Sequence, residues 1–77
     1  MVRRDTFINK IRELNYTYKT QQKRTTLWRQ KGTTNYISVP MRDFLEDEYV
    51  ISNLRQNGVS EKDVQTFMGC YAQAANN

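Results

Sequence analysis

The chain has 77 residues, the size of one small domain with one core, and 38% of them are hydrophobic and 26% charged. This composition favours folding over disorder, and its single cysteine, Cys70, excludes a disulfide framework within the chain. No apolar run has the length of a signal peptide or a membrane span. We therefore expect one cytoplasmic domain over residues 1–77, with residues 72–77 as a flexible tail.

The charged residues are divided unevenly along the chain. Residues 1–31 contain nine basic and two acidic residues, a net charge of +7, whereas residues 32–77 contain three basic and six acidic residues, a net charge of −3. The two parts together give the net charge of +4. A basic half of this kind attracts phosphate, so nucleic acid is its natural class of partner.

The first predicted element is a helix over residues 5–14. Asp5 is a suitable N-cap, Asn15 is a suitable stop, and one helical stripe contains Phe7, Ile8, Ile11 and Leu14. Residues 16–20 then alternate aromatic and polar side chains and predict a strand, in which we expect Tyr16 and Tyr18 to pack on the sheet. The polar residues 21–24 predict a turn.

Two more strands are predicted over residues 25–30 and 35–39, joined by a tight connection at residues 31–33 and stopped by Pro40. This order predicts a three-stranded antiparallel meander. Strand periodicity leaves its two faces open: Leu27, Ile37 and Val39 are candidates for the core. The candidates for the outer face or the rims are Trp28, Tyr36, Arg29 and Lys31.

Residues 41–45 predict a loop, and two helical segments follow it. The first covers residues 47–54, with acidic residues in its first turn and a left-handed stop at Gly58. The second begins at a capping box formed by residues 60–63, and its apolar stripe consists of Val64, Phe67, Met68 and Tyr71. Cys70 lies in the same helical pattern, and we expect it to be a packed thiol rather than a nucleophile. The predicted fold class is therefore α+β, a helix, three antiparallel strands and one or two helices packed on one sheet face, the order of double-stranded-RNA-binding folds.

Basic and aromatic residues interleave along the predicted hairpin, a combination of phosphate partners with rings that stack on bases. The predicted nucleic-acid-binding residues are Lys19, Lys23, Arg24, Trp28, Arg29 and Lys31. The alternative is that these charges are solvated and that Trp28 is a core residue. The acidic residues Asp43, Glu46, Asp47 and Glu48 suit helix capping and the helix dipole. The sequence contains no cluster with metal-ligand spacing and predicts no metal, no cofactor and no small-molecule substrate.

Three segments together resemble the HicA family of small bacterial and archaeal toxins: residues 22–29 (QKRTTLWR), 37–40 (ISVP) and 54–60 (LRQNGVS). That family shows a Gly-Ser-His turn before an aromatic residue, a Val-Pro strand end and a helix that closes in Leu-Arg-Gln-Ala-Gly. The resemblance implies a double-stranded-RNA-binding-like fold, ribonuclease activity and an antitoxin partner. It places Thr26 at the family's catalytic histidine, and Arg24 and Met41 also depart from the family pattern.

The chain contains no histidine, and a threonine hydroxyl has no pKa near neutrality with which to act as general acid or base. We therefore predict an RNA-binding domain, for duplex RNA or mRNA, without histidine-based nuclease activity and with no catalytic residue assigned. Two alternatives stay open. One is a protein-interaction module that docks an antitoxin-like partner, and the other is a ribonuclease that uses a residue other than histidine.

Overall fold

The computed structural model describes the backbone of residues 1–76 and the side chains of residues 1–69. Its elements, in chain order, are β1 (Val2–Arg3), α1 (Arg4–Glu13), β2 (Tyr16–Gln22), β3 (Thr25–Gln30), β4 (Tyr36–Pro40), β5 (Phe44–Leu45), α2 (Asp47–Gln56) and α3 (Glu61–Asn76). The predicted order of a helix, three strands and two helices is confirmed, as is the α+β class. The side chain of Cys70 lies outside the described residues, as does Asn77, and the backbone of residues 72–76 of the predicted tail belongs to α3.

The chain groups into two compact units, Met1–Leu45 and Glu46–Asn77, which we call the sheet unit and the helical unit. The sheet unit contains ten basic and three acidic residues, whereas the helical unit contains two basic and five acidic residues. The sheet unit therefore keeps a net charge of +7 and the helical unit a net charge of −3, because residues 32–45 add one basic and one acidic residue. No helix of the described chain combines the length and the hydropathy that a membrane crossing needs.

The central feature of the sheet unit is an antiparallel sheet with the strand order β2-β3-β4. Tyr18 of β2 pairs with Trp28 of β3, and Trp28 pairs on its other side with Ile37 of β4. A bulge in β2 lies between Tyr18 and Thr20 and shifts the register there by one residue. The meander is thus confirmed, and β2 continues two residues beyond its predicted end.

One face of this sheet is buried and contains Thr26, Trp28, Ile37 and Val39; we call it the inner face. Helix α1 contacts β2 and β4 and buries Phe7, Ile8 and Ile11. The predicted core position of Leu27 was wrong. Leu27 pairs with Ser38 on the opposite, outer face, because neighbouring residues of a strand point to opposite sides and the larger Trp28 occupies the inner side.

A second, two-stranded sheet joins the beginning and the end of the sheet unit. Val2 of β1 pairs with Leu45 of β5, and both side chains are fully buried. The backbone N–H of Arg4 also donates to the Asp43 carbonyl at 2.9 Å. The expected loop over residues 41–45 is therefore wrong at its end, where two residues form a strand too short to show any periodicity in the sequence.

Helices α2 and α3 pack together in the helical unit, where Val50, Leu54 and Val64 are fully buried. Gly58 has φ of +80°, so the predicted left-handed stop after α2 is confirmed. At the start of α3, the backbone N–H of Asp63 donates to Ser60 Oγ at 3.2 Å, which confirms the predicted N-cap.

Candidate nucleic-acid interface

The six residues predicted to bind nucleic acid are distributed over four places in the sheet unit. Lys19 and Arg29 lie with Tyr36 on the outer face, and Lys23 and Arg24 form the turn between β2 and β3. Lys31 follows β3 at the other end of the hairpin, where its backbone N–H donates to the Asn15 carbonyl at 2.8 Å. Trp28 lies on the inner face.

The outer face carries a compact group of two cations and one ring. Lys19 Nζ donates to Tyr36 Oη at 2.8 Å and lies 4.9 Å from the centroid of the same ring. Arg29 is the cross-strand partner of Tyr36, and its Nε donates to the Thr33 carbonyl at 3.2 Å. Tyr36 stays 40% exposed, so the group offers a ring and two positive charges to a ligand.

These neighbours also change the acidity of Tyr36. The hydrogen bond from Lys19 is the main cause that lowers the pKa of the Tyr36 phenol; desolvation opposes it, and the positive charges of Lys19 and Arg29 add to the lowering. The phenolate is stabilised chiefly because Lys19 Nζ donates to the oxygen on which the negative charge forms, at 2.8 Å.

A second basic group lies at the turn between β2 and β3. A cavity of about 610 Å³ is lined there by Lys23, Arg24, Arg42 and Met41, among others. The backbone N–H of Met41 donates to the Arg24 carbonyl at 2.9 Å and holds the end of β4 against the turn. Within the side chains described, none of the three cations forms an ion pair with an acidic residue. Their charges are therefore available to an anionic ligand.

Arg42 was not among the predicted binding residues. Local composition does not indicate that Arg42 lies near the β2–β3 turn. The strand pairing does, because Thr25 and Pro40 are register partners at the end of the β3–β4 pair. A residue that follows Pro40 must therefore reach the turn that precedes Thr25. Finding it from the sequence requires the exact register of the meander.

Lys23 occupies a backbone conformation that is costly for its side chain. Its φ is +48°, in the left-handed region where glycine and asparagine are favoured and where most other residues cost about 1–2 kcal/mol. The turn therefore keeps a cation at a position where glycine is the more stable choice. Strain retained in this way is a recognised property of binding sites.

The predicted stacking role of Trp28 was wrong. Trp28 is 4% exposed, with its Nε1 donating to Thr26 Oγ1 at 2.9 Å and the Arg12 guanidinium 5.3 Å from its ring centroid. Tyr18 stands edge-on to it, with ring centroids 5.9 Å apart and an interplanar angle of 82°. Tyr18 itself is 55% exposed rather than packed as predicted, whereas the packing predicted for Tyr16 is confirmed.

Thr26, which the resemblance predicted at the position of a catalytic histidine, has a structural role. It is 6% exposed, and its Oγ1 accepts hydrogen bonds from Arg4 Nη2 at 3.1 Å and Trp28 Nε1 at 2.9 Å. The same hydroxyl donates to the Val39 carbonyl at 3.3 Å. One donor and two lone pairs are the full capacity of a hydroxyl, so none remains for a substrate.

Three of the eight acidic residues lie in the sheet unit, and the other five lie in the helical unit. Asp47 and Glu48 lie in the first turn of α2, as their predicted dipole role requires. Among the described residues, no three His, Cys, Asp or Glu side chains come together as metal ligands. The chemistry of the candidate interface is therefore that of cations, rings and hydrogen-bond donors.

Searches of protein-family models, of curated proteins and of solved structures found no match to this chain.

Proposed function

We propose that the sheet unit binds RNA through the cations of its outer face and of the β2–β3 turn, and that it does so without cleaving the RNA. The observation that carries the proposal is the presence of five cations on these two surfaces: Lys19, Lys23, Arg24, Arg29 and Arg42. Phosphate contacts from Lys and Arg release counterions and supply most of the affinity of non-specific nucleic-acid binding.

Two features support RNA and a non-catalytic role. The segments that resemble HicA toxins, together with the helix and three-stranded order, favour RNA over DNA as the ligand. The hydrogen bonds of Thr26 leave it without a free lone pair, and the chain has no histidine to act as general base. Both observations support binding without cleavage at the position that the resemblance assigns to a catalytic histidine.

The test is a gel-shift experiment with labelled single- and double-stranded RNA and DNA at two salt concentrations, in which shift and cleavage are scored on the same gel. We expect a shift of RNA at low salt that weakens steeply at the higher salt, with intact RNA throughout. No shift at low salt, or an affinity independent of salt, would overturn the proposal. Cleavage that disappears in Thr26→Ala would instead support the ribonuclease alternative.

A second candidate is an acidic protein of the antitoxin type that docks on the same cations. The observation that favours it is Met41, which is 50% exposed beside Arg24 and Arg42 and offers an apolar contact that RNA phosphates do not use. Met41→Ser separates the two candidates. It should weaken a protein complex, measured by co-purification with the product of an adjacent small gene, and leave the RNA shift unchanged.

A further inference from the structure

A polar groove of about 530 Å³ lies between α1 and the inner face of the sheet, within the sheet unit. Its lining includes Arg4, Asp5, Asn9, Arg12, Tyr18 and Trp28. The volume lies within the range of about 300–1,000 Å³ that is usual for small-molecule sites. The groove is distinct from the outer face and from the β2–β3 turn, so the surfaces proposed above do not account for it.

We propose that this groove binds one unpaired nucleotide of the RNA, with the base stacked on Tyr18 and the phosphate on Arg12. The proposal rests on the proposed function, because it specifies which RNA the sheet unit selects. It assigns single-stranded ends, loops or bulges rather than blunt duplex, since only an unpaired base exposes its ring face for stacking on a protein side chain.

The stacking surface is supplied by Tyr18. Its register partner is Trp28, and the two rings are nearly perpendicular. Tyr18 lines the groove and is 55% exposed, whereas Trp28 is buried. A ring fixed by a neighbouring ring loses little conformational freedom when a ligand stacks on it. Stacking of this kind is worth about 1–3 kcal/mol per base in single-strand binding proteins.

The anion partner is Arg12. Its guanidinium is held over the Trp28 ring, 5.3 Å from the centroid, and no acidic side chain of the described residues pairs with it. The ring therefore orients the cation without neutralising it, and the guanidinium edge keeps its donors for a phosphate. Arg4 is less available, because its Nε donates to the Pro40 carbonyl at 3.0 Å and its Nη2 donates to Thr26 Oγ1.

Two side chains of α1 supply the polar groups that a base requires. Asn9 offers both an amide donor and a carbonyl acceptor, and Asp5 offers carboxylate acceptors for an exocyclic amine. The Asp5 carboxylate also disfavours a second phosphate in the groove. This arrangement fits a nucleoside monophosphate unit of a chain better than a free polyphosphate.

Trp28 provides the readout, because it is the single tryptophan of the chain and forms a wall of the groove. Titration with cytidine monophosphate, whose base carries an exocyclic amine, should change Trp28 emission and saturate, whereas cytidine and inorganic phosphate should need at least about tenfold higher concentrations, since each lacks one of the two contacts. A response to phosphate equal to that of the nucleotide, or no saturable response to the nucleotide, overturns the proposal.

Variants assign the response to the named side chains. Tyr18→Ala and Arg12→Gln should each weaken the nucleotide about tenfold or more, while Tyr18→Phe retains the ring and should bind within about twofold of the wild type. Lys62→Gln, an exposed cation of the helical unit, is the control and should have no effect. Equal loss in Tyr18→Phe and Tyr18→Ala would show that stacking is not the interaction.

Comparison of two RNAs separates this proposal from the proposed function. Arg12→Gln should lower affinity for a duplex with an unpaired overhang and leave affinity for the blunt duplex unchanged. Salt-sensitive binding of both RNAs with no preference for the overhang, and no response to the nucleotide, would refute the groove site alone. A nucleotide response without binding of any RNA would refute the proposed function and leave the groove as a nucleotide site.

Discussion

The sheet unit and the helical unit use their charged residues in opposite ways. In the helical unit, Arg55 and Glu61 satisfy each other, with Nη2 to Oε1 at 2.6 Å and Nε to Oε2 at 2.9 Å. In the sheet unit, the cations of the β2–β3 turn line an open cavity without acidic partners among the described side chains. The net charge of +4 conceals this difference, which is why the proposed ligand site is placed in residues 1–45.

The largest effect expected from this comparison is on RNA affinity. The triple variant Lys23→Glu, Arg24→Glu, Arg29→Glu should weaken RNA binding at least about a hundredfold at low salt. The slope of log affinity against log salt concentration should also become less steep by about 2–3. The measurement is a titration followed by fluorescence anisotropy of labelled RNA at several salt concentrations.

Lys23→Glu and Lys62→Glu form a matched pair, because both replace an exposed lysine by glutamate and change the net charge equally. We expect roughly tenfold weaker RNA binding for the first and less than about twofold for the second. Equal losses in the two variants would mean that overall charge, rather than the position of the cations, governs binding.

A smaller effect is expected on the stability of the sheet unit. Thr26→Val keeps the shape of the side chain but leaves Arg4 Nη2 and Trp28 Nε1 without their acceptor, which should cost about 1–3 kcal/mol in the free energy of unfolding. Urea denaturation followed by Trp28 fluorescence measures it. Thr66→Val, at an exposed position of α3, is the control, and an unchanged midpoint in Thr26→Val would contradict the structural role of the hydroxyl.

The outer face should also respond to pH. Because the Lys19 hydrogen bond lowers the pKa of Tyr36, its phenolate should form at a lower pH than the usual value of about 10. The new negative charge beside Lys19 and Arg29 should then reduce RNA affinity as the pH rises through this pKa. Tyrosinate absorbance as a function of pH measures the titration, and the part of the signal that is lost in Tyr36→Phe belongs to Tyr36. Lys19→Met should shift this Tyr36 part to higher pH.

The smallest effect is expected in the helical unit. Hydrogen bonds from Arg55 and Gln65 lower the pKa of Glu61 from 4.5 to about 2, so the folded state disfavours the protonated carboxyl. The resulting stability is present above pH 4.5 and is lost as the pH falls from 4.5 towards 2. Glu61→Gln should remove this part of the pH dependence, and the change should be small because the pair is exposed.

A double-mutant cycle tests this assignment. In an Arg55→Gln background, Glu61→Gln should have a clearly smaller effect on the difference between urea midpoints at about pH 6 and about pH 3, because only the hydrogen bond from Gln65 still lowers the pKa of Glu61. An undiminished effect in that background would place the source of the pKa shift elsewhere. RNA affinity should be unchanged in all three variants, since none alters the sheet unit.

The sequence by itself determined the order of the main elements and the start of each to within about one residue. The stripe of Phe7, Ile8 and Ile11 has helical spacing, β3 begins and ends where its β-forming residues do, and Gly58 stops α2 by its left-handed backbone. The charge division was also visible, because it needs only counting. These features are local, and local propensity and periodicity suffice to predict them.

Only the tertiary structure decided which face each side chain occupies and which distant residues meet. Leu27 and Trp28 are adjacent apolar residues, and the alternation of a strand allows only one of them to face the core without indicating which one. In the structure Trp28 is the buried residue of the two, on the sheet face that α1 covers. The β1–β5 pair, the bonds of Thr26 to Arg4 and Val39, and the place of Arg42 beside Lys23 depend on contacts between residues far apart in the chain. Such contacts follow from strand register and burial, which composition and spacing along one sequence do not contain.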